Sequence, residues 1–142
     1  MAVPASLLEI YTAYEEEAGK ARAEASPLAD FIGGSGSFKN HWCHKKFFDA
    51  GAAWTADFLA ASPSPEETAE VVTFILKAAS EKRKKDTYWY YLAAQKHTLE
   101  MLPLLSPETS REMAVWYEKT YSKRDRLPLQ NSILKILKKQ GK

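Results

Sequence analysis

The chain has one cysteine, Cys43, among 142 residues. A lone thiol closes no internal disulfide, so a disulfide-stapled secreted scaffold is excluded and a reducing cytoplasm is the expected compartment. Long apolar runs are missing as well. None approaches the ~20 residues a membrane span needs, and no membrane partner is expected. The opening stretch has no basic segment followed by a sustained apolar one, so no signal peptide is expected. No alternating run closed by Asn-Gly or Asp-Gly turns is present, so nothing reads as a strand. The one glycine-rich stretch, Gly33-Gly34-Ser35-Gly36-Ser37, is followed by Phe38-Lys39-Asn40. A phosphate-binding loop needs Lys-Ser/Thr at that point and a strand before it. Zinc-finger spacing and the signatures of the common RNA-binding modules are absent too.

What remains is globular: 45% apolar and 27% charged residues, with four Trp, seven Tyr and six Phe. This length suits one domain, able to bury roughly 70% of its unfolded surface. The net charge of +2 hides a split. Residues 1–70 hold 5 Lys+Arg against 11 Asp+Glu, a balance of −6, and residues 71–142 hold 15 against 7, a balance of +8. Charge divided in this way points to a polyanion partner, unless the two halves neutralise each other in the fold.

Proline and serine punctuate the chain. Ser26-Pro27, Ser64-Pro65 and Ser106-Pro107 each precede a helical pattern. Serine accepts from the free N–H groups of a first turn, and proline suits the first helical position, where an N–H would have no partner. Ser64 and Glu67 have the spacing of a capping box. The expected architecture is an all-α, single-domain bundle of about six helices, with a helical repeat as the less favoured alternative. An N-terminal helix over 5–25 is joined by a Gly/Ser linker, 26–37, to a helical core over 38–139. Within that core the apolar spacing predicts helices over 38–61, 65–84, 86–102, 107–122 and 128–139. The third helix is apolar nearly all round between Val71 and Ala79 and belongs at the centre. The stripes of the others are Leu7, Leu8, Tyr11 and Tyr14; Cys43, Phe47, Gly51, Trp54 and Phe58; and Leu129, Ile133, Ile136 and Leu137.

His41-Trp42-Cys43-His44 gathers potential metal ligands. On a helix His41 and His44 share a face, but a structural zinc site needs four ligands and the only other histidine is His97. A metal-binding role for His41 and His44 is therefore the weakest reading, and no cofactor is expected. Cys43 fits the apolar stripe, with His44 pointing about 100° away, so a nucleophilic pair is not expected. The carboxylates Glu15, Glu16 and Glu17, and Glu66, Glu67 and Glu70, suit solvated faces and first-turn capping.

The stronger pattern is Lys82-Arg83-Lys84-Lys85, followed by Tyr88-Trp89-Tyr90-Tyr91. Cations neutralise phosphates and aromatic faces stack on bases. Trp89 and Leu92 fit a core stripe, which leaves Tyr88 or Tyr90 as the stacking ring. Lys123, Arg124 and Arg126 form a second basic segment, and Lys135, Lys138 and Lys139 lie on the polar side of the last helix. The sequence therefore points to a non-enzymatic helical binding module whose basic C-terminal half contacts nucleic acid, or a nucleoprotein complex, without strong sequence specificity. The alternative is a protein–protein adaptor or inhibitor acting through the acidic N-terminal helix. By analogy, such a chain suits a phage or mobile-element accessory protein.

Overall fold

A computed structural model of the chain describes residues 3–25, 28 and 37–142. Among these are six α-helices and no strand: α1 (Ala5–Glu24), α2 (Trp42–Ala60), α3 (Pro65–Ser80), α4 (Tyr88–Ala94), α5 (Pro107–Thr120) and α6 (Pro128–Gln140). Two short 3₁₀ segments, Gln95–Thr98 and Leu102–Leu104, lie between α4 and α5. The all-α expectation holds, and helices as unequal as α4 and α5 make no repeating unit. No helix among the described residues is long and apolar enough to cross a membrane. The Ser26-Pro27 start and nearly all of the predicted 26–37 linker lie outside the described residues. The chain divides into two compact units, 4–54 and 55–142, with Val3 grouped with the latter. The division redistributes the charge. Asp57, Glu66, Glu67 and Glu70 belong to the same unit as the basic segments, so residues 55–142 hold 15 cations against 11 acids. The basic character is therefore local rather than spread over half the chain.

In the 4–54 unit, Leu7, Tyr11, Tyr14, Ala18 and Ala21 form the buried face of α1. Leu8, expected on that face, is 41% exposed. Steps of four, three, four and three keep the seam on one side, and Leu8 is turned away from it. Phe47 of α2 lies between the tyrosines, stacked on Tyr14 at 4.2 Å and edge-on to Tyr11 at 4.9 Å. The Trp54 indole N–H donates to Ser6 Oγ at 2.8 Å. Helix α2 begins four residues later than the apolar pattern suggests. Residues 38–40 form turns, and the Cys43 backbone N–H is capped by His41 Nδ1 at 3.1 Å.

In the 55–142 unit, the capping box at α3 forms as expected. Ser64 Oγ accepts from the Glu67 N–H at 3.1 Å, and Glu67 Oε1 accepts from the Ser64 N–H at 3.3 Å. Ser106 caps α5 through the Thr109 N–H at 3.1 Å. Helix α3 is central: Val71, Val72, Ile75, Leu76, Ala78 and Ala79 are buried, and it packs against α4, α5 and both 3₁₀ segments. Helix α6 packs against α5 and buries Gln130, Ile133, Leu134 and Leu137, so Leu129 and Ile136 sit at the margins of the stripe. At its end, Gly141 is held close to α5. A Cβ there would lie 2.9 Å from Arg111 Cα, while Arg111 Nε donates to the Gly141 carbonyl at 2.9 Å. Gly141 thus sits at a close approach that a side chain would obstruct.

The fourth predicted helix, 86–102, is much shorter than its pattern. The α-helix covers only Tyr88–Ala94 before the chain tightens into 3₁₀ turns. Leu92, Gln95, Thr98 and Met101 are all buried, a spacing of three that matches 3₁₀ winding rather than α. Gln95 is the reason. Its Oε1 accepts from Tyr117 OH at 2.6 Å and from Gln130 Nε2 at 3.2 Å. Its Nε2 lies 3.3 Å from Tyr121 OH and 3.4 Å from the Leu76 carbonyl, to which Tyr121 OH itself donates at 2.6 Å. A polar network with no exposed member therefore ties α3, α5, α6 and the 3₁₀ segment together.

The buried phenols set an alkaline limit. Burial pushes Tyr11 and Tyr117 far above the ordinary phenol range, and Tyr121 up to about 12 against the opposing hydrogen bond from Gln95. In the unfolded chain a phenol ionises near pH ~10. The neutral folded form is therefore favoured below that pH, and the advantage is lost as pH rises from there through about 12. Near-UV circular dichroism is expected to collapse cooperatively across this window, with phenolate absorbance rising in step. Phenolate absorbance that titrates to completion before the dichroism changes would contradict it.

Candidate functional site

Helix α3 ends at Ser80, and the chain runs through consecutive tight turns. Lys82 N–H donates to Ala79 O at 3.0 Å, Lys85 N–H to Lys82 O at 2.9 Å, and Tyr88 N–H to Lys85 O at 3.1 Å. Four cations are thereby held on turns between two helices. After α5, Asp125 N–H closes another turn on Ser122 O at 2.8 Å, and the Ser122 hydroxyl donates to Asp125 Oδ2 at 3.1 Å. Arg83 joins the two segments. Its Nη1 donates to Asp125 Oδ2 at 3.2 Å, and its guanidinium lies over the Tyr121 ring at 5.5 Å. Residues 42 positions apart in sequence become neighbours. The pair is half exposed, so its worth is about 0–1 kcal/mol and its effect is chiefly on position. Together, 81–87 and 122–127 carry seven cations and three acids.

These cations have different duties. Arg83 holds Asp125, and Lys82 lies over the Tyr91 ring at 5.9 Å. Arg126 donates to Asn131 Oδ1 at 3.1 Å and to the Tyr121 carbonyl at 3.0 Å, which braces the loop. Lys84, Lys85, Lys123 and Arg124 are exposed, and their charges face solvent. The α6 lysines stand apart. Lys138 is paired with Glu118 at 2.5 Å, a hydrogen bond that holds the Glu118 carboxyl below the usual range. Lys135 and Lys139 are exposed further along α6. At ~1.5 Å per residue, they sit roughly 10–17 Å from its first residue.

The aromatic run is rearranged relative to the sequence expectation. Tyr88 is buried and Tyr90 half-buried, whereas Trp89, expected in the core, is 59% exposed. The reason is register. Within α4, Tyr88, Tyr91 and Leu92 fall at i, i+3 and i+4 and form its buried face. Trp89 is turned outward, its ring centroid 5.2 Å from that of Tyr88 in a T-shaped contact. Burial raises the Tyr88 phenol, with Arg83 opposing and Asp125 adding to the shift. The ring offered to solvent beside the basic turn is the indole, which sequence reasoning missed. The signal available was the 88/91/92 spacing.

A second cluster lies within the 4–54 unit. His44 is buried, and both its ring nitrogens are engaged. Nε2 lies 2.7 Å from the Phe38 carbonyl, which only accepts, so Nε2 carries the proton. Nδ1 is then the acceptor for Tyr14 OH at 2.8 Å and for the Cys43 thiol at 3.8 Å. The neighbours Cys43 and His44 therefore do touch, contrary to the divergence expected along a helix. Cys43 has no exposed surface, and burial together with the Glu17 charge pushes its thiol up, against a backbone hydrogen bond. A neutral buried thiol is a poor nucleophile. His41 and His44 do not share an exposed face, because His41 precedes the helix and caps it. No group of three or more His, Cys, Asp or Glu side chains suited to a metal gathers among the described residues. On α1, Glu17 is paired with Lys46 at 2.6 Å. Comparison with protein-family models, curated proteins and solved structures finds no match.

Proposed function

We propose that the protein is a non-enzymatic helical binding module that contacts nucleic acid through the face made by 81–87 and 122–127, without strong sequence specificity. The observation that carries this reading is the Arg83–Asp125 joint, which sets two basic segments side by side. Lys84, Lys85, Lys123 and Arg124 then form a cluster of outward charge suited to a phosphate backbone. Three of the four are lysines, which act as point charges and carry no planar fork to read base edges. Arg83 and Arg126 already engage their guanidinium groups in intramolecular hydrogen bonds. The cations also sit on turns, not on a helix face that would enter a major groove.

Titration of labelled DNA and RNA at several salt concentrations tests this. Four phosphate contacts correspond to a log–log slope of roughly −2.8 to −3.6. Affinity is therefore expected to fall roughly 50- to 150-fold between ~50 and ~200 mM salt. Absence of binding at low salt would overturn the reading.

A further inference from the structure

We propose that the nucleic acid taken by this face is single-stranded, with an unpaired base stacked on Trp89. The inference rests on the reading above and specifies its ligand. Three features carry it. First, the indole is the most exposed ring of the basic region, and it follows the turn that carries Lys84 and Lys85. Second, the outer side of this stretch is open. Trp89, Ala93 and Lys96 are all exposed at spacings of four and three, so they share one face as far as the start of the 3₁₀ segment. Ala93 is too small to cover the ring, and Lys96 supplies a cation beyond it. A strand crossing the indole therefore meets positive charge before and after the aromatic surface, in the phosphate–base–phosphate order of a polynucleotide. Third, the ring is steadied by a neighbour. Tyr88 meets it at 67° in a T-shaped contact with centroids 5.2 Å apart, and the indole residue still keeps 59% of its surface open to solvent.

A duplex does not satisfy this arrangement. Its bases already stack on one another, and only their edges reach the grooves. An aromatic face beside cations, with no groove-filling element, is the usual means of holding a single strand and tolerates any base. Sequence tolerance follows from the same chemistry, since every base has a π-face.

The test uses the full chain and three labelled probes: an oligothymidylate, an abasic deoxyribose-phosphate oligomer of equal length, and a duplex. Trp89→Ala is expected to weaken oligothymidylate binding roughly 5- to 150-fold, with Trp89→Phe retaining most of it. Affinity for the abasic oligomer and the duplex is expected to be unchanged by either substitution. Far-UV circular dichroism of the variants confirms that the fold is kept. Equal affinity of wild-type protein for the oligothymidylate and the abasic oligomer, insensitive to Trp89→Ala, would overturn the single-strand inference and leave the phosphate-binding face standing. A failure of all three probes to bind at low salt would overturn both.

Discussion

Replacing Gln95 with alanine is expected to lower the stability of the 55–142 unit by about 3–5 kcal/mol. The amide has no exposed surface and serves four groups on three other parts of the fold. Its removal leaves the Tyr117 hydroxyl, which donates to it at 2.6 Å, without that acceptor. A buried polar group left unsatisfied costs about 1–3 kcal/mol, and the cavity adds its own term. Gln130 already has one buried amide oxygen with no partner among the described residues, so the network has little slack. Tyr117→Phe is the informative contrast. Gln95 Oε1 would still accept from Gln130, so the cost should be near 1 kcal/mol. Urea unfolding of both variants measures the difference. Equal midpoints would mean that Gln95 is not the hub of the network.

Charge reversal at Lys84, Lys85, Lys123 and Arg124 to Glu is expected to reduce nucleic-acid affinity on the order of 100-fold or more at low salt. These side chains are exposed, so the far-UV spectrum should not change. Arg83 is deliberately left in place, because it ties the two segments together and its loss would disturb geometry as well as charge. Reversal of Lys135, Lys138 and Lys139 serves as the comparison. It removes nearly as much charge, but from a site further along α6, where Lys138 is already paired. A distinctly smaller loss is expected there. Equal losses in the two variants would show that bulk charge, and not the joined face, governs binding.

What was legible in the sequence was local. The Ser64 capping box needs only residues three apart, and it formed as its spacing suggests. The centrality of α3 followed from apolar residues on every side of one helix. Features decided by distant residues were not legible. The α-helix of α4 stops at Ala94 because Gln95 meets partners on α5 and α6, and no pattern within 86–102 names them. The outward turn of Trp89 depends on which face of α4 meets the core, and within 86–102 both the 88/91/92 and the 89/92 spacings suit a helical stripe. Arg83 and Asp125 are both ordinary exposed charges until the fold brings them together. The candidate site was thus legible as a composition and illegible as an arrangement.

The placement of Cys43 gives the molecule a clock. It is the one thiol in the sequence, it has no solvent-accessible surface, and its hydrogen-bonding neighbour His44 is held by Tyr14 of α1. A thiol reagent can reach it only when that packing opens. Where closing outpaces labelling, the modification rate divided by that of a free thiol is the fraction of time spent open. The protein thereby records the breathing of its N-terminal unit chemically, with no engineered probe.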